Sequence, residues 1–105
     1  MKQAVLVKPE SFEIREVPVP EITDDQALIR VRAVGICGSD IHAYYGKHPF
    51  ISCPIVMGHE AAGDVVKIGR NVTNLKPGMR VVMRPQKVCG ECYLCKTGRF
   101  NICKK

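Results

Sequence analysis

Four cysteines fall within fifteen residues in the run Cys89-x₂-Cys92-x₂-Cys95-x₇-Cys103, and they constrain the fold more than any other feature of the chain. Four soft donors at this spacing suit a single tetrahedral ion, with zinc the first expectation. An all-thiolate zinc site has no open coordination position, so such a metal would shape the segment without meeting a substrate. Iron–sulfur ligation is the nearest competitor, because bacterial ferredoxins also begin C-x₂-C-x₂-C. Their fourth cysteine follows after three residues and precedes proline. Here the gap is seven and Lys104 follows Cys103. Free or redox-active thiols are the remaining alternative.

With 105 residues the chain has room for one small domain, expected to bury roughly two-thirds of its unfolded surface. Its apolar runs fall far short of the ~20 residues that span a bilayer. The opening Met1–Lys8 holds too short an apolar run for a signal-peptide core. A cytoplasmic location is therefore expected, with no membrane partner. In a reducing compartment six cysteines point to metal binding or reactive thiols rather than disulfides, and the Asn71-Val72-Thr73 sequon would go unused. The formal charge of +6 counts every cysteine as neutral. One zinc on four thiolates carries a net −2 and would lower that to +4. The basic residues are spread along the chain, with only Lys104 and Lys105 adjacent, so a solvated surface is expected and no nucleic-acid partner.

The chain reads as strands and turns. Ala4 to Val7 is a short apolar strand, and Phe12-Glu13-Ile14-Arg15 alternates at period two before Pro18 and Pro20. Over Ala27 to Ile36, Ile29, Val31 and Ala33 share one face while Arg30 and Arg32 take the other, the pattern of a half-solvated antiparallel strand. Ala61 to Ile68 and Arg80 to Met83 are two more strands, with turn chemistry at Gly69-Arg70-Asn71 and Lys76-Pro77-Gly78. The expected class is mainly β. Small all-β domains remove exposed edges by curling, so a partly open barrel is expected, with the cysteine lobe of residues 86–105 hanging from it.

A second constellation lies upstream in Gly35-Ile36-Cys37-Gly38-Ser39-Asp40-Ile41-His42 and Gly58-His59-Glu60. Each piece alone has an ordinary reading, a packing cysteine at a strand end or a loop histidine. Together thiolate, imidazole and carboxylate form a mixed set suited to a catalytic zinc with one position left open. Taken in order, Cys37-Gly38-Ser39-Asp40-x-His42, Gly58-His59-Glu60, Lys76-Pro77-Gly78 and the four cysteines resemble the N-terminal catalytic domain of the zinc-dependent medium-chain alcohol dehydrogenases. That domain is the GroES-like barrel, and the resemblance covers the whole chain.

The resemblance implies that Cys37 and His59 ligate a catalytic zinc, with Glu60 a further ligand or an exchangeable neighbour. It implies that Asp40 accepts the other imidazole N–H of His59 and fixes its tautomer, although a turn-capping role is the plainer reading. Ser39 is similar to the hydroxyl that takes the proton from the alcohol, and His42 to the next member of that relay. Zinc lowers a bound hydroxyl's pKa from about 16 toward about 7, and hydride then passes from the alkoxide to NAD or NADP. His48 and Cys53 match no family position and are expected to be surface and packing residues. Tyr44, Tyr45 and Phe50 either line a cleft or pack beneath a loop. Gly38 after the cysteine and Glu60 after the histidine make the chain more similar to polyol, sugar-acid and threonine dehydrogenases than to simple ethanol enzymes.

The chain departs from the family pattern in length. It contains no G-x-G-x-x-G fingerprint and no βαβ alternation, so NAD or NADP binding is expected only in a full-length enzyme. A further catalytic-zinc ligand and the rest of the barrel are expected downstream. A truncated reading frame is therefore expected, with an isolated chain that does not turn over and a full-length enzyme that is a homo-oligomer. The rival reading is a noncatalytic zinc-binding module, in which Cys37 and His59 are packing residues.

Overall fold

A computed structural model describes residues 1–104. Two antiparallel sheets account for its strands. The first is a hairpin of β1 (Lys2–Lys8) and β2 (Ser11–Glu16), in register Lys2↔Glu16 through Leu6↔Phe12. The second has the order β3-β4-β5, with β3 Ala27–Gly35, β4 Glu60–Ile68 and β5 Arg80–Val82. All five expected strands form, within a residue or two at their ends. Turn chemistry sets the β4–β5 return: Met79 N–H donates to Lys76 O at 3.1 Å across Pro77-Gly78, with Gly78 at φ +89°. A type II turn needs a positive φ at its third residue, which glycine supplies without steric cost.

β3 departs from the simple alternation the sequence suggests. Val31 pairs with Gly63 and Ala33 with Ala62, so Arg32 is the extra residue of a β-bulge. The bulged side chain bonds across to β4, Arg32 Nε donating to Asp64 Oδ2 at 2.7 Å. That contact holds the Asp64 carboxyl below its usual pKa range, chiefly through the Arg32 hydrogen bond.

Two short helices were not legible as periodic segments. α1 (Gly38–Tyr44) follows β3 after a two-residue link, and α2 (Tyr93–Lys96) lies inside the cysteine lobe. The end of α1 is tied to the hairpin turn: Glu10 N–H donates to Tyr44 O at 2.8 Å, and the Tyr44 ring stacks on Phe12 with centroids 5.9 Å apart. A reciprocal backbone pair between Leu6 and Ile55, at 2.8 and 3.0 Å, ties the α1–β4 connection to β1.

The sheets do not close around a common core. The buried hydrophobic residues are Val5, Leu6, Ala43 and Val65. The radius of gyration is 16.1 Å, against about 13 Å for a compact domain of this length. The accessible surface is 8239 Å², so the chain buries only about half of its unfolded surface by the usual mass scaling, not two-thirds. The cause is visible on β3, where Val31 and Val34 are more than half exposed, with Ile36 at 81% just beyond it. Val31 and Val34 border an open apolar groove of about 640 Å³ between the hairpin and the larger sheet, lined also by Ala4, Leu28, Val56 and Val66. No helix among the described residues is long and apolar enough to cross a membrane.

Leu6 is fully buried at the point where β1 meets Ile55. Leu6→Ala should therefore lower unfolding stability by about 2–4 kcal/mol, whereas Ile36→Ala at its exposed position should change it by less than about 0.5 kcal/mol. Urea unfolding monitored by circular dichroism measures both.

Candidate metal centres

Pairing between β3 and β4 builds the first centre. Gly35 at the end of β3 stands opposite Glu60 at the start of β4. Cys37 follows Gly35 by two residues and His59 immediately precedes Glu60, so the register brings together side chains 22 positions apart in sequence. One ligand atom each from Cys37, His59 and Glu60 lie within 4.8 Å of one another, with Cys37 and His59 half-buried and Glu60 exposed. His59 follows Gly58, whose φ of +100° and 2.9 Å approach to Val34 at its Cβ position leave no room for a side chain.

Asp40 caps α1 and also lies close to His59. Its Oδ2 accepts the Cys37 backbone N–H at 2.9 Å, which caps the first turn of α1. Its Oδ1 lies 3.5 Å from His59 Nδ1, so Nε2 is the ring nitrogen left to face a metal. Ser39, in that first turn, hydrogen-bonds the Cys37 sulfur. This bond is the main reason the Cys37 thiol titrates below its usual range, with further help from the Ser39 backbone and from His59. His59 is raised in return, first by its hydrogen bond to Cys37 and then by Asp40. A metal taken up here needs the thiolate and the neutral imidazole, so its binding competes with protons. His42 is exposed on the same helix, and among the described residues its imidazole makes no hydrogen bond or ion pair to Ser39 or the cluster.

The second centre is the lobe. Cys89, Cys92, Cys95 and Cys103 each place sulfur within 4.8 Å of the others, all half-buried and none in a disulfide. Zinc–sulfur bonds of ~2.3 Å put tetrahedral ligands roughly 3.8 Å apart, and Cys89 Sγ and Cys95 Sγ are separated by 3.8 Å. Backbone donors turn inward: Cys92 N–H reaches Cys89 Sγ at 3.3 Å, and Cys89 N–H reaches Cys103 Sγ at 3.4 Å. Donors of this kind stabilise thiolate charge. Backbone N–H groups of Cys95 and Lys104 draw the Cys92 thiol down to about 6, whereas burial pushes Cys95 up to about 12. Both donor sets fit a borderline-soft divalent ion. Arg84, just past β5, stacks 3.9 Å over the Phe100 ring and ties the lobe to the sheet. No spacing rule in the sequence signals a contact of that kind.

The other expected residues lie apart from these clusters. His48 accepts the Phe50 N–H at 3.2 Å within its own loop, and Cys53 belongs to neither group. Tyr44 packs on the hairpin, while Tyr45 and Phe50 are 51% and 90% exposed.

Comparison with known proteins matches residues 23–105 to the alcohol dehydrogenase GroES-like domain. An L-galactonate-5-dehydrogenase from Escherichia coli K12 is 48% identical over 91 residues, covering 87% of this chain and 26% of its own length. The solved galactitol-1-phosphate dehydrogenase from Escherichia coli superposes with a TM-score of 0.92 at 30% identity, over 100% of this chain and 30% of that one. An alcohol dehydrogenase from Escherichia coli CFT073 in complex with NADH gives 0.84 at 36% identity, over 98% and 30%. The chain spans about a quarter to a third of the length of the relatives it matches. The chain therefore belongs to the alcohol dehydrogenase GroES-like domain family.

Proposed function

We propose that these residues supply the substrate-side half of a zinc-dependent dehydrogenase acting on a small alcohol, polyol or sugar acid. The observation that carries this reading is the convergence of Cys37, His59 and Glu60, with Asp40 braced against His59. In this reading Cys37, His59 and Glu60 hold a catalytic zinc, and Cys89, Cys92, Cys95 and Cys103 hold a structural one. When bound, the catalytic zinc would polarise the substrate hydroxyl and make it more acidic. NAD or NADP would accept the hydride, held by sequence that these 105 residues do not include.

The chain's own residues divide the remaining work. Asp40 orients His59 and keeps its free nitrogen basic. Ser39, whose hydroxyl has lone pairs beyond the proton it gives Cys37, receives the substrate's proton, and exposed His42, which does not touch Ser39, takes it on through bridging water. Cys89 to Cys103 keep the lobe folded. The setting is the cytoplasm, with a homo-oligomeric enzyme and no nucleic-acid or membrane partner. The open apolar faces of β3 and β4 suit burial against further protein rather than against water. A noncatalytic module would have Cys37 and His59 as packing residues. Their half-exposed position and polar contacts with Ser39 and Asp40 argue against it.

Asp40→Asn tests the arrangement, since asparagine keeps the helix cap but removes the charge beside His59. It should weaken zinc at this centre by about 10- to 100-fold in chelator competition, and leave the lobe zinc unchanged. An unaltered affinity would contradict the reading. In metal-free protein at neutral pH, iodoacetamide should label Cys92 faster than Cys95, as mapped by peptide mass spectrometry. Zinc should protect all four, and acidification should release it as protons compete for the thiolates.

A further inference from the structure

Gly35 faces Glu60 in the β3–β4 ladder but has no need of glycine's conformational range, because its φ lies outside the left-handed region. What the position does need is room. A methyl group on Gly35 would sit 2.5 Å from Glu60 Oε2, 3.1 Å from Glu60 Cβ and 3.5 Å from Glu60 Cδ. The Glu60 side chain therefore lies back across residue 35 and occupies the space where a side chain would be. Crowding is not general around the centre: apart from its chain neighbours and its own helix backbone, a methyl on Gly38 would meet nothing within 4 Å.

We propose that Gly35 is a positioning residue whose missing side chain lets the Glu60 carboxylate reach the Cys37–His59 pair. The proposal rests on the reading that those three residues hold a zinc ion. The nearest clash is with the far end of a flexible side chain, so Gly35→Ala displaces the carboxylate at little cost to the strand. Only a role exerted through Glu60 makes the effect depend on Glu60 being present.

A double-mutant cycle on the full 105-residue chain tests this, with zinc affinity read by chelator competition and the lobe zinc as an internal control of folding. Gly35→Ala should weaken the mixed-ligand site by about 10- to 100-fold, while Gly38→Ala stays within about twofold of the unsubstituted protein. In a Glu60→Ala background, adding Gly35→Ala should change affinity by less than about twofold. An indifferent Gly35→Ala, or an equal loss with and without Glu60, overturns the proposal. If Gly35→Ala alone fails to fold, recovery of folding in the Glu60→Ala background supports the clash and continued failure overturns it. Cys37→Ser separates the two levels of argument. If it removes no zinc, the metal-site reading fails and the proposal with it. If it removes one zinc while Gly35→Ala removes none, the proposal fails alone.

Discussion

Antiparallel pairing of β3 with β4 is the constraint on which the rest depends. Its last rung, Gly35 opposite Glu60, sets Cys37 beside His59 across 22 residues of sequence. A slip of one residue would turn Glu60 to the other face of the sheet and separate the donors, because side chains alternate with a period of two. The bulge at Arg32 and its bond to Asp64 hold that register. The chemistry at the end of the ladder is therefore a product of backbone hydrogen bonding many residues away.

The first centre is stabilised from two directions. The Asp40 carboxylate accepts the Cys37 N–H and lies 3.5 Å from the His59 imidazole, so the same group that caps α1 also places a negative charge beside His59. The lobe works differently. Its two short helical turns bury little, and its inward N–H groups converge on sulfur. Structural zinc in small thiolate peptides supplies roughly 10 to 16 kcal/mol at neutral pH, far more than four half-buried cysteines contribute by packing. Among the described residues only four hydrophobic side chains are buried, so in the proposed reading metal ligation would carry a large share of this chain's order.

The legible parts of the fold were those governed by local periodicity or fixed spacing. Alternation in Phe12–Arg15 and in Ile29–Ala33 marked strands, Lys76-Pro77-Gly78 marked its turn, and the cysteine spacing marked a four-thiolate cluster. Cys37, His59 and Glu60 were recognisable as a donor set, but their convergence needed the register. The bulge at Arg32 left no mark because it arises from a cross-strand pair with Asp64. α1 was missed because seven residues give too few turns for a period, although Asp40 three positions after Cys37 is a capping signature. The spatial demand at Gly35 was hidden for the same reason as the bulge: only the opposing strand reveals it. His42 was expected beside Ser39 and instead stands exposed without contact to it, since residues three apart on a short helix share a face without having to touch.

The central claim is that one small chain carries two chemically distinct metal centres, one closed by four thiolates and one mixed. Zinc per chain, measured by elemental analysis before and after brief treatment with a mild chelator, tests it most directly. Two zinc ions per chain, falling to one after the chelator, are the predicted result. A single zinc that resists the chelator would contradict a preformed mixed centre in these 105 residues and leave only the cysteine lobe as a metal site.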